Sequence, residues 1–239
     1  MSRKDEFNQV ENPTSIYAEW STPNKSLVYY DKEKKENKAI KNGTRFLVLK
    51  ETVCIKGWDN NSESSIWSNE VLSTVDTPLV VKSHKGGELA RGLYADIRES
   101  IVNKGAKYTK NVYCMTEKGS IVCLQMYGAA IGAWMEFTQK TRKRLADEWF
   151  VIGSTEDRKQ GSVNYVVPVF EFQSSLSDEQ DTKSEEQYEI LKTFLEAKLK
   201  RPLKEDTPAG EQEMPKSEEA AAVEMIASIV EDGDDDLPF

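Results

Sequence analysis

Asn111-Val112-Tyr113-Cys114-Met115-Thr116-Glu117-Lys118-Gly119-Ser120-Ile121-Val122-Cys123-Leu124-Gln125-Met126 is the stretch whose reading decides the fold. Two apolar runs, rich in β-branched and aromatic residues, flank the polar segment Glu117–Ser120. That is the signature of two strands joined by a short turn. Gly119 suits a hairpin loop that needs one residue at positive φ. Working outward, Leu27-Val28-Tyr29-Tyr30 and the run from Thr44 to Ile55 read as further strands. Ser162 to Phe172 reads as a final strand, in which Pro168 implies an edge or a bulge. Two helices interrupt the strands. Gly87 to Asn103 places Leu89, Leu93, Ile97 and Ile101 at four-residue steps, and Ala129 to Glu148 gathers Ile131, Trp134, Met135, Thr138, Leu145 and Trp149 on roughly one side. Strands with inserted helices predict a mainly β (α+β) body, a small barrel in preference to a parallel sheet of βαβ units.

The organisation along the chain follows from composition. Residues 1–15 are a polar leader, 16–173 the strand-rich domain, and 174–200 an amphipathic helix carrying Tyr188, Leu191, Leu195 and Leu199. Residues 201–216, with Pro202, Pro208, Gly210 and Pro215, form a linker, and 217–239 an acidic tail. Residues 176–239 hold seven Lys/Arg against nineteen Asp/Glu, which leaves 25 and 22 of the chain's 32 and 41 for residues 1–175; the two parts carry −12 and +3. Such a division fits a body that meets a polyanion and an acidic interaction tail, or a neutral domain with a solvated tail.

Three cysteines without C-x-x-C spacing and one histidine, His84, do not make a zinc site. The start of the chain is polar, and the longest apolar stretch, Ile121 to Met135, is too short to cross a bilayer. These features predict a reducing, cytoplasmic setting and no cofactor.

The last six residues, Asp234-Asp235-Asp236-Leu237-Pro238-Phe239, set three carboxylates beside a conformationally restricted, Phe-tipped end. Such an end suits a small apolar pocket rimmed by Lys or Arg, because carboxylate capture beside a pocket is a recognised peptide-binding mode. The segment resembles the acidic tip of bacterial and phage single-stranded DNA-binding proteins, most often Asp-Asp-Asp-Ile-Pro-Phe. The resemblance implies an OB-fold body that coats single strands, and a tip through which Asp234, Asp235, Asp236, Leu237, Pro238 and Phe239 recruit replication, recombination or repair proteins of the polymerase, helicase, primase or nuclease class. It covers six residues. The charged, partly helical tail departs from the Gly/Gln-rich tails of the bacterial members, so a divergent phage-encoded member in a bacterial cytoplasm is the nearest likeness.

Coating a strand needs cations along its backbone and aromatic faces for its bases. Lys104, Lys107, Tyr108, Lys110 and Tyr113 interleave the two types into the first strand of the hairpin, as a groove or as a solvated turn with a lone tyrosine. Trp58, leaving a strand for a polar loop, reads as a stacking platform or as edge packing, whereas Trp67 reads as buried. Lys82 and Lys85 lie in a Gly-containing loop running into a helix, whose N–H groups attract phosphate; the pattern is not a Walker loop. Lys140, Lys143 and Arg144, at helical spacing, form a phosphate-tracking or merely solvated face. Of Tyr29 and Tyr30, which alternate, Tyr30 is the stacking candidate.

The reading is a non-enzymatic binder of single-stranded DNA, possessing the tip for partners and able to self-associate. A strand-annealing recombination protein would use the same groove. A nuclease carrying a recruitment tip would need clustered carboxylates for Mg²⁺ or a nucleophile with a base, and Asp59, Glu63, Asp96 and Glu99 form no such pattern.

Overall fold

The structure is a computed structural model that describes residues 10–199, the Lys140 side chain excepted. The described chain is mainly β with a few helices. Its elements are β1 (Thr14–Ser21), β2 (Ser26–Asp31), β3 (Glu36–Ala39), β4 (Phe46–Asp59), β5 (Ser64–Ser68), β6 (Leu79–Ser83), β7 (Gly87–Gly92), α1 (Tyr94–Val102), β8 (Ala106–Thr116), β9 (Ile121–Met126), α2 (Ala129–Thr141), β10 (Glu148–Gln160), β11 (Val163–Ser175) and α3 (Asp178–Leu199). The strands form one mixed sheet in the order β3-β2-β1-β9-β8-β4-β5-β6-β7, with β10 pairing both β4 and β11. The β1–β9 pair is parallel.

The hairpin read from 111–126 is present as β8–β9, and Gly119 takes the positive φ of +79° that its turn requires. β4, bulged between Val48 and Lys50, pairs with β8 over most of its length, meets β5 at one end and touches β10 at the other. Among the described residues β11 pairs only with β10, so Pro168 sits on an edge strand, opposite Thr155.

One face of the sheet carries the main core. Trp134 of α2, fully buried, packs against Phe150 and Phe170 with ring centroids 5.2 and 5.0 Å away, inside a cluster that includes Trp20, Phe46, Val112, Leu124 and Met126. The Trp20 indole N–H donates to the Val166 carbonyl at 2.9 Å, which ties β1 to β11. A second cluster on this side, Ile55, Ile66, Leu79, Val81, Ile97 and Ile101, seats α1. The opposite face is covered in part by α3, whose Leu191, Phe194 and Leu195 pack on Tyr113, Ile121 and Cys123. Burying these three side chains contributes about 1.5–3 kcal/mol each.

Several sequence expectations change. Residues 87–103 are not one helix: Gly87, at φ +74°, opens β7, which pairs back on β6, and only 94–102 are helical. The four-residue spacing misleads because Leu89 on the strand and Ile97 on the helix enter the same cluster. The second helix stops at Thr141, and Trp149 belongs to β10, whose Phe150 and Ile152 pair with Phe172 and Phe170. β1 begins at Thr14, inside the expected leader, and pairs with β9. The helix expected at 174–200 is present as Asp178–Leu199, packed on the sheet. The linker and acidic tail lie outside the described residues. No described helix is long and apolar enough to cross a membrane.

Candidate nucleic-acid interface

Side chains of directly paired residues in an antiparallel ladder lie on the same face. β4 and β8 pair Lys56 with Lys107, β4 and β5 pair Lys56 with Trp67, and β5 and β6 pair Trp67 with Lys82. The register therefore sets Lys107, Lys56, Trp67 and Lys82 in a row across four strands. Trp58, two residues beyond Lys56 and paired with Ser65, shares the face one step along. Tyr127, just past β9, closes the row: the Lys107 ammonium lies 4.9 Å from its ring centroid, and the Lys82 ammonium 5.5 Å from that of Trp67. Cation–π contacts at these distances hold charge beside aromatic surface. All six residues are half-buried. Like charges directly opposite disfavour a strand pair; here the Lys56 ammonium is held by Gln125 Oε1 at 2.7 Å and that of Lys107 lies against the Tyr127 ring.

Beside the row the same face becomes polar and buried. Glu70, 7% exposed, accepts hydrogen bonds at Oε1 from Thr52, from Asn111 Nδ2 at 3.0 Å and from the Tyr113 hydroxyl at 2.8 Å, and at Oε2 from the Lys198 ammonium of α3 at 2.5 Å. Burial alone would raise the Glu70 carboxyl, but Lys198 and these hydrogen bonds hold it below its ordinary range. Burial alone would lower the Lys198 ammonium, but Glu70 holds it above. The pair is ionised, and it fastens the last turn of α3. Asn111 accepts from Gln125 Nε2 at 3.1 Å, and Gln125 Oε1 accepts from the Lys56 ammonium at 2.7 Å. The Tyr127 hydroxyl donates to Glu19 at 2.9 Å.

Of the residues singled out in the sequence, Trp58, Lys82 and Lys107 are brought together. Tyr30 has the facing parity of Val28 and Glu19 but stands on β2, two strands from β9. The others are placed elsewhere. Tyr113 is 0% exposed beneath α3, where no base can reach its ring. Tyr108 faces the opposite side and packs on Tyr94, centroids 4.9 Å apart. Lys110, opposite Met126 and Val53, also points to the core side, 3.6 Å from Glu51. Lys104 donates to the Leu89 carbonyl at 3.4 Å. Lys85 is exposed in the β6–β7 turn, its ammonium 3.4 Å from the Glu63 carbonyl; that turn leads into a strand, so the expected helix N-terminus is absent there. Arg144 forks onto Glu148 and stacks on Phe172 at 4.3 Å. A 3₁₀ turn over Arg142–Arg144 takes Lys143 and Arg144 off the α2 face that the spacing implied, and α2 itself packs on the core side. Lys140's side chain and Asp234–Phe239 fall outside what the structure describes.

Lys56, Trp67 and Tyr127 are the residues that sequence reasoning missed. The alternation Lys56-Gly57-Trp58 carried a signal for one face; the partnership with Trp67 and Tyr127 depends on register. Among the described residues no group of three or more His, Cys, Asp or Glu could hold a metal ion. No protein-family model matches the chain, and neither a curated protein nor a solved structure is similar enough to count as a match.

Proposed function

We propose that the protein binds single-stranded DNA on the face of Lys107, Lys56, Trp67, Lys82, Trp58 and Tyr127. The observation that carries this reading is the row itself: Lys107 and Lys56 side by side, flanked by the rings of Tyr127 and Trp67, with Lys82 beyond, all on one face of paired strands and partly open to solvent. A single strand offers what this surface selects. Its bases stack on indole faces without sequence preference, and its phosphates neutralise lysines set side by side.

An OB-type arrangement of the strands is part of the same proposal. β4, β8 and β9 form an antiparallel meander, α2 follows β9, and the β10–β11 hairpin returns so that Phe150 pairs with Phe46 of β4. We take these five strands as a partly open barrel around the Trp134 cluster, widened by β1 beside β9 and by β5–β7 and α1 inserted between its first two strands. In OB-folds the face of the second and third strands and the loop between the first and second bind oligonucleotides. Here those are the outward face of β8–β9 and the insertion bearing Trp67 and Lys82. Under this reading the Asp234–Phe239 tip recruits replication or repair proteins, in line with its resemblance.

Titrating oligothymidylate and a duplex of matched length across a salt series tests the proposal. Quenched tryptophan fluorescence, a steep salt slope and strong preference for the single strand are expected. Unchanged fluorescence with no complex at low salt overturns it.

A further inference from the structure

Gln125 lies 4% exposed between the row and the Glu70 network, and its carboxamide bridges the two. An ionised carboxylate only accepts hydrogen bonds, so the side of Asn111 that meets Glu70 must be its NH₂. Asn111 then turns its oxygen toward Gln125, which must answer with its own NH₂. That leaves the Gln125 oxygen aimed at the Lys56 ammonium, 2.7 Å away. Each orientation follows from the one before, and the sequence begins at the charge of Glu70, held in place by Lys198.

We propose that Gln125 is a positioning residue for Lys56, with its amide direction set by Glu70 through Asn111. The central cation of the row is thereby fixed before any ligand arrives, and α3 contributes by keeping Glu70 ionised. Side chains locked in this way bind with less ordering on contact. The effect on oligonucleotide affinity rests on the strand-binding reading; the ordering of the ammonium does not.

The test uses the full chain. In the unmodified protein without nucleic acid, NMR is expected to show a slowly exchanging Lys56 ammonium with a scalar coupling across its hydrogen bond to the Gln125 side-chain carbonyl carbon. Absence of that coupling overturns the proposal without any variant having to fold. Gln125→Met should abolish the ordered ammonium signal, and Gln125→Glu, which keeps an acceptor, should retain it. Oligothymidylate binding should weaken about tenfold in Gln125→Met, within the range that coupled neighbours show, and not weaken further when Gln125→Met is added to Lys56→Met. Additive losses in that cycle overturn the positioning role. A coupling that is present in a protein binding no oligonucleotide supports the positioning and sinks the strand-binding reading alone.

Discussion

A ring can stack on a base only if it reaches solvent, and Trp58 and Trp67 are half-buried while Tyr113 is sealed. Replacing either tryptophan with alanine should weaken oligonucleotide binding by about 1–3 kcal/mol, measured by titration, with only a small change in the unfolding midpoint. Tyr113→Phe should do the reverse. It removes one of the hydroxyls on Glu70 and lowers stability by about 1–3 kcal/mol while leaving affinity unchanged. Glu70 and Lys198 also contribute to the pH response. The folded-state pKa of Glu70 lies below its ordinary 4.5, so its contribution is present above that value and is lost as pH falls through the folded pKa. That of Lys198 lies above its ordinary 10.5, so its contribution is present below that value and is lost as pH rises through the folded pKa. Urea unfolding of Glu70→Gln should show a stability lower by about 1–3 kcal/mol near neutrality, since the half-exposed Lys198 loses its charged partner and the buried hydrogen bonds of the carboxylate weaken, and a flatter acid limb. A wild-type acid limb in the variant would contradict this assignment.

Elements fix what single residues cannot. β4 crosses the turn before β8 so closely that a Cβ on Gly57 would collide with the Gly105 carbonyl oxygen, while Gly105, at φ +91°, approaches the Trp58 carbonyl. Gly57→Ala should destabilise the chain by about 1–3 kcal/mol and weaken binding as well, because Lys56 and Trp58 flank the displaced residue. Denaturant unfolding with the same titration checks both effects. α3 is held by Leu191, fully buried, and Leu191→Ala should cost about 2–5 kcal/mol; hydrogen exchange should rise first over 178–199 if the helix loosens before the sheet. The hairpin at 111–126, the strand at 163–175 and α3 were legible because their period and turn residues agree. The division of 87–103 was not, since a strand and a helix feeding one cluster imitate a single helix.

Across the whole molecule the charge division shifts once α3 is seen on the sheet. Residues 200–239 hold four Lys/Arg against twelve Asp/Glu, and residues 10–199 hold 26 against 27, nearly neutral overall. Under the proposed function, attraction for a polyanion comes from the local arrangement on one face, and an acidic segment tethered to the same chain would compete for it at high effective concentration. Removing residues 231–239 should tighten oligonucleotide binding at about 50 mM salt, where screening is weak; equal affinities of the full-length and shortened chains would count against competition. The sequence by itself determined the mainly β class, the central hairpin, the helix carrying Leu191 and Leu195, and the acidic tip, because each is written in residues close together along the chain. Only the tertiary structure decided which lysine stands beside which ring, and which tyrosines are sealed from solvent. Those outcomes depend on strand register and on what covers each face, and both are set by pairings between segments far apart in the chain.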